Sequence, residues 1–225
     1  MKHTRESLIA LIDECRKNGT DIVLRGADLS GLDLRSLYLR YADLRYADLR
    51  WANLRGSDLR WTDLRWADLR YADLRRADLR WSDLRYADLR YADLRDANLR
   101  GSDLRWTDLR WANLRDADLR RADLRGLYLR WTDLRWTDLR YADLRDADLD
   151  YCGFELSCKT IDIKADKRLV SQLLYHLCRM DVQDCPEWDE LRNDGRIIDL
   201  ANKSHVIDDY YLPEIEPLNT QEGNS

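Results

Sequence analysis

The chain has 225 residues, 36% of them charged, and a formal net charge of −5. The opening MKHTRESLIALIDECRK has charges on both sides of a short apolar run, unlike a secretory signal, and no stretch reaches the roughly 20 apolar residues of a membrane-spanning helix. These features predict a cytoplasmic protein without a membrane segment. The five cysteines, at 15, 152, 158, 178 and 185, are odd in number and lack a CxxC pair, which predicts reduced thiols.

The charge is unevenly divided. Residues 1–23 carry four basic and four acidic groups, residues 24–150 carry 26 Arg against 24 Asp, and residues 151–225 carry 8 basic against 15 acidic. Residues 4–18 read as a helix, with Thr4 as N-cap and an apolar stripe of Leu8, Ile9, Leu11, Ile12 and Cys15. Asn18-Gly19 ends it, glycine accepting the left-handed terminal turn. Residues 1–20 are therefore expected to form a capping helix.

From Leu24 to Leu149 a leucine recurs at every fifth position, 26 times without a miss. The residue two before it is nearly always small, the one before is usually Asp, and the one after is Arg in all but two cases. On an α-helix, five steps of about 100° would spread these leucines over every side; in a flat strand they would alternate faces. Both forms leave leucines exposed. A three-residue extended segment with Ala and Leu inward and Asp outward, followed by a two-residue corner, buries them all. Repeating that corner closes a coil around a leucine column that includes Leu44, Leu64, Leu84, Leu104 and Leu124.

The motif A(D/N)LRx resembles that of the pentapeptide-repeat family, with Cys152 and Phe154 as a last degenerate repeat. The resemblance implies an all-β solenoid, a right-handed quadrilateral β-helix over residues 21–155 with four repeats per coil, or about six and a half coils. At about 4.8 Å per rung the array would be about 30 Å long. Each buried leucine favours this by roughly 1.5–3 kcal/mol, against roughly 1–2 kcal/mol for ordering each residue's backbone. Open ends would expose leucines and unpaired strand edges, so flanking helices are expected to cover them.

After the array, residues 156–207 read as a helical segment. Residues 166–181 form an amphipathic helix with Leu169, Leu173 and Leu177 on one line and Val170, Leu174 and Cys178 on the next, a surface for capping the array or forming a homodimer. Shorter helices are expected near 186–194 and 196–203, and residues 208–225 read as a flexible acidic tail. Residues 181–225 hold 12 acidic against 3 basic groups and do not repeat, which makes them a further place for partner specificity.

The Asp and Arg columns predict a lattice of exposed ion pairs, each contributing about 0–1 kcal/mol. Arg interleaved with Trp and Tyr is also what single-stranded nucleic acid meets, but the near balance of charge argues against direct nucleic-acid binding. The family resemblance implies another possibility, a DNA-mimic inhibitor of a DNA-processing enzyme such as gyrase. That mimicry depends on an acidic surface, which the balanced array lacks.

At a period of 20 residues the last positions of the repeats fall into columns. One reads Trp51, Tyr71, Tyr91, Trp111 and Trp131, and its neighbour Tyr46, Trp66, Tyr86 and Trp106; a third, with Arg76, Asp96 and Asp116, is mostly polar. This predicts an aromatic edge on one side, stabilised by stacking and suited to a protein or glycan partner. Residues 41–80 recur at 86–125 with few changes, an offset of nine repeats that rotates the copy by a quarter turn and would scramble a site confined to one face. The cysteines and His176 fit no familiar zinc spacing, so neither metal nor cofactor is expected. With no glycine-rich phosphate loop, and with carboxylates repeated over the surface instead of paired in a cleft, the reading is a non-catalytic interaction or scaffold protein.

Overall fold

The structure, a computed structural model, describes residues 3–149 and, beyond them, Cys152, Gly153, Ala165, Val170, Asp194 and Gly195. The chain divides into two units, Met1–Lys164 and Ala165–Ser225. In the second unit, the expected helix at 166–181 with Leu169, Leu173, Leu174 and Leu177, the shorter helices and the acidic tail lie outside the described residues, Val170, Asp194 and Gly195 apart.

Helix α1 spans Arg5–Asn18. The Thr4 hydroxyl accepts the Ser7 N–H at 3.1 Å while the Ser7 hydroxyl accepts the Thr4 N–H at 3.0 Å, a reciprocal cap for two otherwise orphaned donors. Gly19 ends the helix at φ 65°, its N–H donating to the Arg16 carbonyl. Leu8, Ile12 and Cys15 are buried; Ile9 and Leu11 flank them half-buried. Four bonds tie α1 and its approach to the first coil: the His3 N–H to the Asp28 carbonyl at 3.4 Å, Arg16 to the Tyr38 carbonyl at 2.7 Å, and Arg5 to the Asp33 carbonyl and, at 3.3 Å, the Arg35 carbonyl.

The array is a four-sided parallel coil. Its bridges join residues 20 apart, from Val23 with Asp43 to Asp133 with Gly153. In each, as at Asp63, the N–H reaches back to one coil (the Ala42 carbonyl, 3.0 Å) and the carbonyl accepts from the same coil (the Leu44 N–H, 2.8 Å). All 26 leucines of the column are buried, none more than 5% exposed. The ladder reaches Gly153, past the last leucine; Phe154 lies outside the described residues.

Each corner is a tight turn. The Ala47 N–H donates to the Leu44 carbonyl at 3.1 Å, and Tyr46 between them has φ 60°. A closed i to i+3 bond with positive φ at the third residue is the geometry of a type II turn, usually filled by glycine. Here all 25 corner residues from 26 to 146 adopt it, 20 of them not glycine. The inward small position also admits hydroxyls. Ser57, Thr62, Ser82 and Ser102 donate to the leucine carbonyl three residues before at 2.6 Å, while Thr107, Thr132 and Thr137 donate to a carbonyl of the preceding coil. Their burial therefore leaves no hydroxyl unpaired.

Candidate interaction surface

The positive φ at each corner turns the last side chain of the repeat outward, and the 20-residue coil stacks these side chains into four edges. The first holds Tyr46, Trp66, Tyr86 and Trp106; the second Trp51, Tyr71, Tyr91, Trp111 and Trp131; the third Ser36, Gly56, Arg76, Asp96, Asp116 and Trp136; the fourth Tyr41, Trp61, Trp81 and Tyr141. On the second edge successive ring centroids lie 4.1, 4.9, 6.1 and 5.1 Å apart with planes within 9°. On the first, Trp66 stacks on Tyr86 at 4.4 Å, and Tyr46 lies under the Arg25 guanidinium.

The fourth edge was not anticipated. Tyr41, Trp61 and Trp81 stack at 6.5 and 5.6 Å, so aromatic rings occupy three adjoining edges and not one side. The signal was available at the same period, read from Tyr41 onward. Two stacks end on a glycine: a Cβ at Gly101 would meet the Trp81 ring at 2.4 Å, and one at Gly126 the Trp106 ring at 2.7 Å. Each ring lies over the corner one coil later, and glycine is what makes room for it.

The internal copy sharpens the distinction between edges. Residues 86–125 differ from 41–80 at three positions only: Trp51 becomes Asp96, Asp68 becomes Asn113 and Tyr71 becomes Asp116. The quarter turn moves corners 51 and 71 from the second edge to the third, and both corner changes fall there; Asn113 lies on the face that leads to it. The expectation that copying scrambles the faces is thus revised: the copy departs from its original where an aromatic corner would have entered the polar edge.

Between the edges, Asp and Arg pair more tightly than a lattice of exposed pairs implies. Arg45 donates to both oxygens of Asp43 at 2.8 and 2.6 Å, its backbone N–H bonds Asp43 at 3.1 Å, and its Nε lies 3.5 Å from Asp63 one coil on. The carboxylates are half-buried, Asp43 being 23% exposed. Hydrogen bonds from Arg45, Arg50 and Arg75 hold Asp43, Asp48 and Asp73 below the usual carboxyl range, against burial, which pushes them up.

The interior is filled, but clefts form outside it near α1, where the repeat pattern predicts none. One of about 620 Å³ is lined by Arg16, Thr20, Asp21, Ile22, Tyr38, Arg40, Tyr41, Asp58 and Arg60. Another, of about 460 Å³, lies on the third edge. Cys15 is buried and Cys152 half-buried. Among the described residues no His, Cys, Asp and Glu are grouped so as to hold a metal ion, and no helix is long and apolar enough to cross a membrane.

Similarity to known proteins follows the array. The family profile for pentapeptide repeats (8 copies) matches residues 20–56, 33–70, 62–101, 102–140 and 128–156. No curated protein matches the chain. Among solved structures, a pentapeptide repeat protein from Nostoc PCC 7120 is 36% identical, covering 44% of this chain and 84% of its own, with a TM-score of 0.37. HetL, a pentapeptide repeat protein of the cyanobacterium Nostoc sp. strain PCC 7120 involved in heterocyst differentiation regulation, is 27% identical over 68% of this chain and 94% of its own, TM-score 0.28. Trypsin-treated QnrB1, a plasmid-mediated fluoroquinolone resistance protein, is 17% identical over 72% and 97%, TM-score 0.43. With its 20-residue coil, its leucine column and a profile match running from 20 to 156, this chain belongs to the pentapeptide-repeat family, whose fold is the right-handed quadrilateral β-helix.

Proposed function

We propose that this protein is a non-catalytic interaction or scaffold protein that holds a protein partner against its aromatic edges. The observation that carries the reading is the second edge, where five stacked rings from Trp51 to Trp131 remain 41–65% exposed. Stacking alone stabilises a pair by about 0.5–1.5 kcal/mol. Rows of exposed Trp and Tyr are in addition the residues that dominate protein interfaces.

The test separates the two roles. Trp51, Trp111 and Trp131 are replaced together by Ser in the full chain, and thermal stability is measured beside capture of a partner first identified with the unaltered protein. The expected result is loss of capture with the coil still folded. Lower stability with capture intact would reduce the rings to a structural role. The alternative, DNA-mimic inhibition of an enzyme such as gyrase, needs an acidic surface; the Arg–Asp pairing of the described faces opposes it, and a supercoiling assay distinguishes the two readings.

A further inference from the structure

One repeat on the third edge breaks the charge pattern. In most repeats a carboxylate serves two arginines, that of its own repeat and that of the preceding coil, as Asp63 serves Arg65 at 2.6 Å and Arg45 at 3.5 Å. Asn53 occupies this place between Arg55 and Arg35. Its Oδ1 still accepts the Arg55 N–H at 3.2 Å, so the backbone turn is kept, while both guanidinium groups lose a carboxylate. Arg35 retains Asp33 at 2.6 Å, whereas Arg55 has lost the carboxylate of its own repeat and keeps only the longer-range pull of Asp73, one coil on and held by Arg75.

The corners here are the small Ser36 and Gly56, and a Cβ on Gly56 would meet only the Ser36 hydroxyl, at 3.8 Å. No ring covers the site. Arg5 reaches in from α1 and Arg76 from the next corner, so that four arginines, Ser36 and Gly56 line the cleft of about 460 Å³. The other two asparagine repeats differ. Trp81 packs over Gly101 and the neighbouring Arg100 Nε is buried, while the Arg115 guanidinium lies 3.5 Å from Asp116. A missing carboxylate alone does not make a cleft; the uncovered corner does.

We propose that this cleft binds a phosphate-type oxyanion, held by Arg55 with Arg35, Arg5 and Arg76 around it. Guanidinium forks match oxyanions in two-bond geometry, and donors arriving from a helix, a coil face and a corner suit a tetrahedral group better than a planar carboxylate. Charge agrees: Asp33, shared by Arg5 and Arg35, and Asp96, beside Arg76, offset two of the four positive charges, and the nearby Asp73 is taken up by Arg75, which leaves two for a dianion.

The experiment titrates the full chain with inorganic phosphate and, separately, phenyl phosphate, read by calorimetry. Asn53→Asp restores the common repeat residue and supplies the missing carboxylate; Gly56→Trp fills the cleft with a side chain that other corners carry at the same φ. Saturable binding is expected in the unaltered protein, weakened about tenfold or more in both variants, a loss of at least about 1.4 kcal/mol. Asn98→Asp, on the covered repeat, leaves it unchanged. Tighter binding of phenyl phosphate identifies an ester as the ligand, and equal binding the free ion; both uphold the site. No saturation by about 10 mM of either probe, or Asn53→Asp binding like the unaltered protein, overturns it.

Discussion

At the scale of single residues, the corner is where this sequence departs most from ordinary preference. Bulky residues avoid positive φ, at a cost of roughly 1–2 kcal/mol, yet Trp and Tyr adopt it throughout. Each is fixed by hydrogen bonds on both sides, as Tyr46 is by its own N–H to the Arg65 carbonyl at 3.1 Å and by the Ala47–Leu44 turn bond. Glycine at a corner is free of the strain, and two glycines separate strain from space. Ala at Gly56 meets open room, whereas Ala at Gly101 meets the Trp81 ring at 2.4 Å. Gly56→Ala should therefore cost about 1 kcal/mol, and Gly101→Ala about 2–4 kcal/mol because the ring must also lift. Urea denaturation measures both; equal losses would mean that Trp81 moves aside without cost.

At the scale of the repeat, stability rests on a column in which each leucine touches its own coil and the next. Leu84 is 1% exposed, and its carbonyl accepts the Thr107 hydroxyl at 2.8 Å, so side chain and backbone both join successive coils. Leu84→Ala should cost about 2–5 kcal/mol, read as a lower urea midpoint, since neighbours fixed by the coil cannot close over the gap. A loss under about 1 kcal/mol would show a coil that collapses freely. This level was the most legible in the sequence. A coil with a corner every five residues buries every leucine, and the inward small residue and outward Asp follow from it, while α1 was legible from its own apolar stripe and its caps at Thr4 and Gly19. The sharing of Asp63 by Arg65 and Arg45 follows from the same columns; what escaped reading is that Trp81 lies over Gly101 and that α1 sets Arg5 beside Arg55 in one cleft. Arg5 lies outside the repeat, and the 20-residue register that places Trp81 one coil from Gly101 does not say how its ring leans.

At the scale of the whole array, the paired charges make stability fall with acid. Asp43, Asp48, Asp73 and Asp143 are held below the usual range chiefly by hydrogen bonds from Arg45, Arg50, Arg75 and Arg145, with burial opposing. In the unfolded chain these carboxyls titrate near 3.9. A depressed folded value means that the unfolded state takes up protons first as the solution is acidified. The stabilisation is therefore fully present well above about pH 4 and is lost progressively as pH falls through that value toward the lower folded ones. Melting temperature, followed by circular dichroism, should stay level from about pH 7 to 5 and fall steeply below about 4. The losses at these carboxyls add along the coil, although each half-exposed pair contributes little alone. Arg45→Gln removes the principal hydrogen bonds to Asp43 and should make the acid-side fall shallower, as that carboxyl returns toward its ordinary titration. A melting temperature indifferent to acid would show that the leucine column alone sustains the fold and that the Arg–Asp pairs are neutral to it.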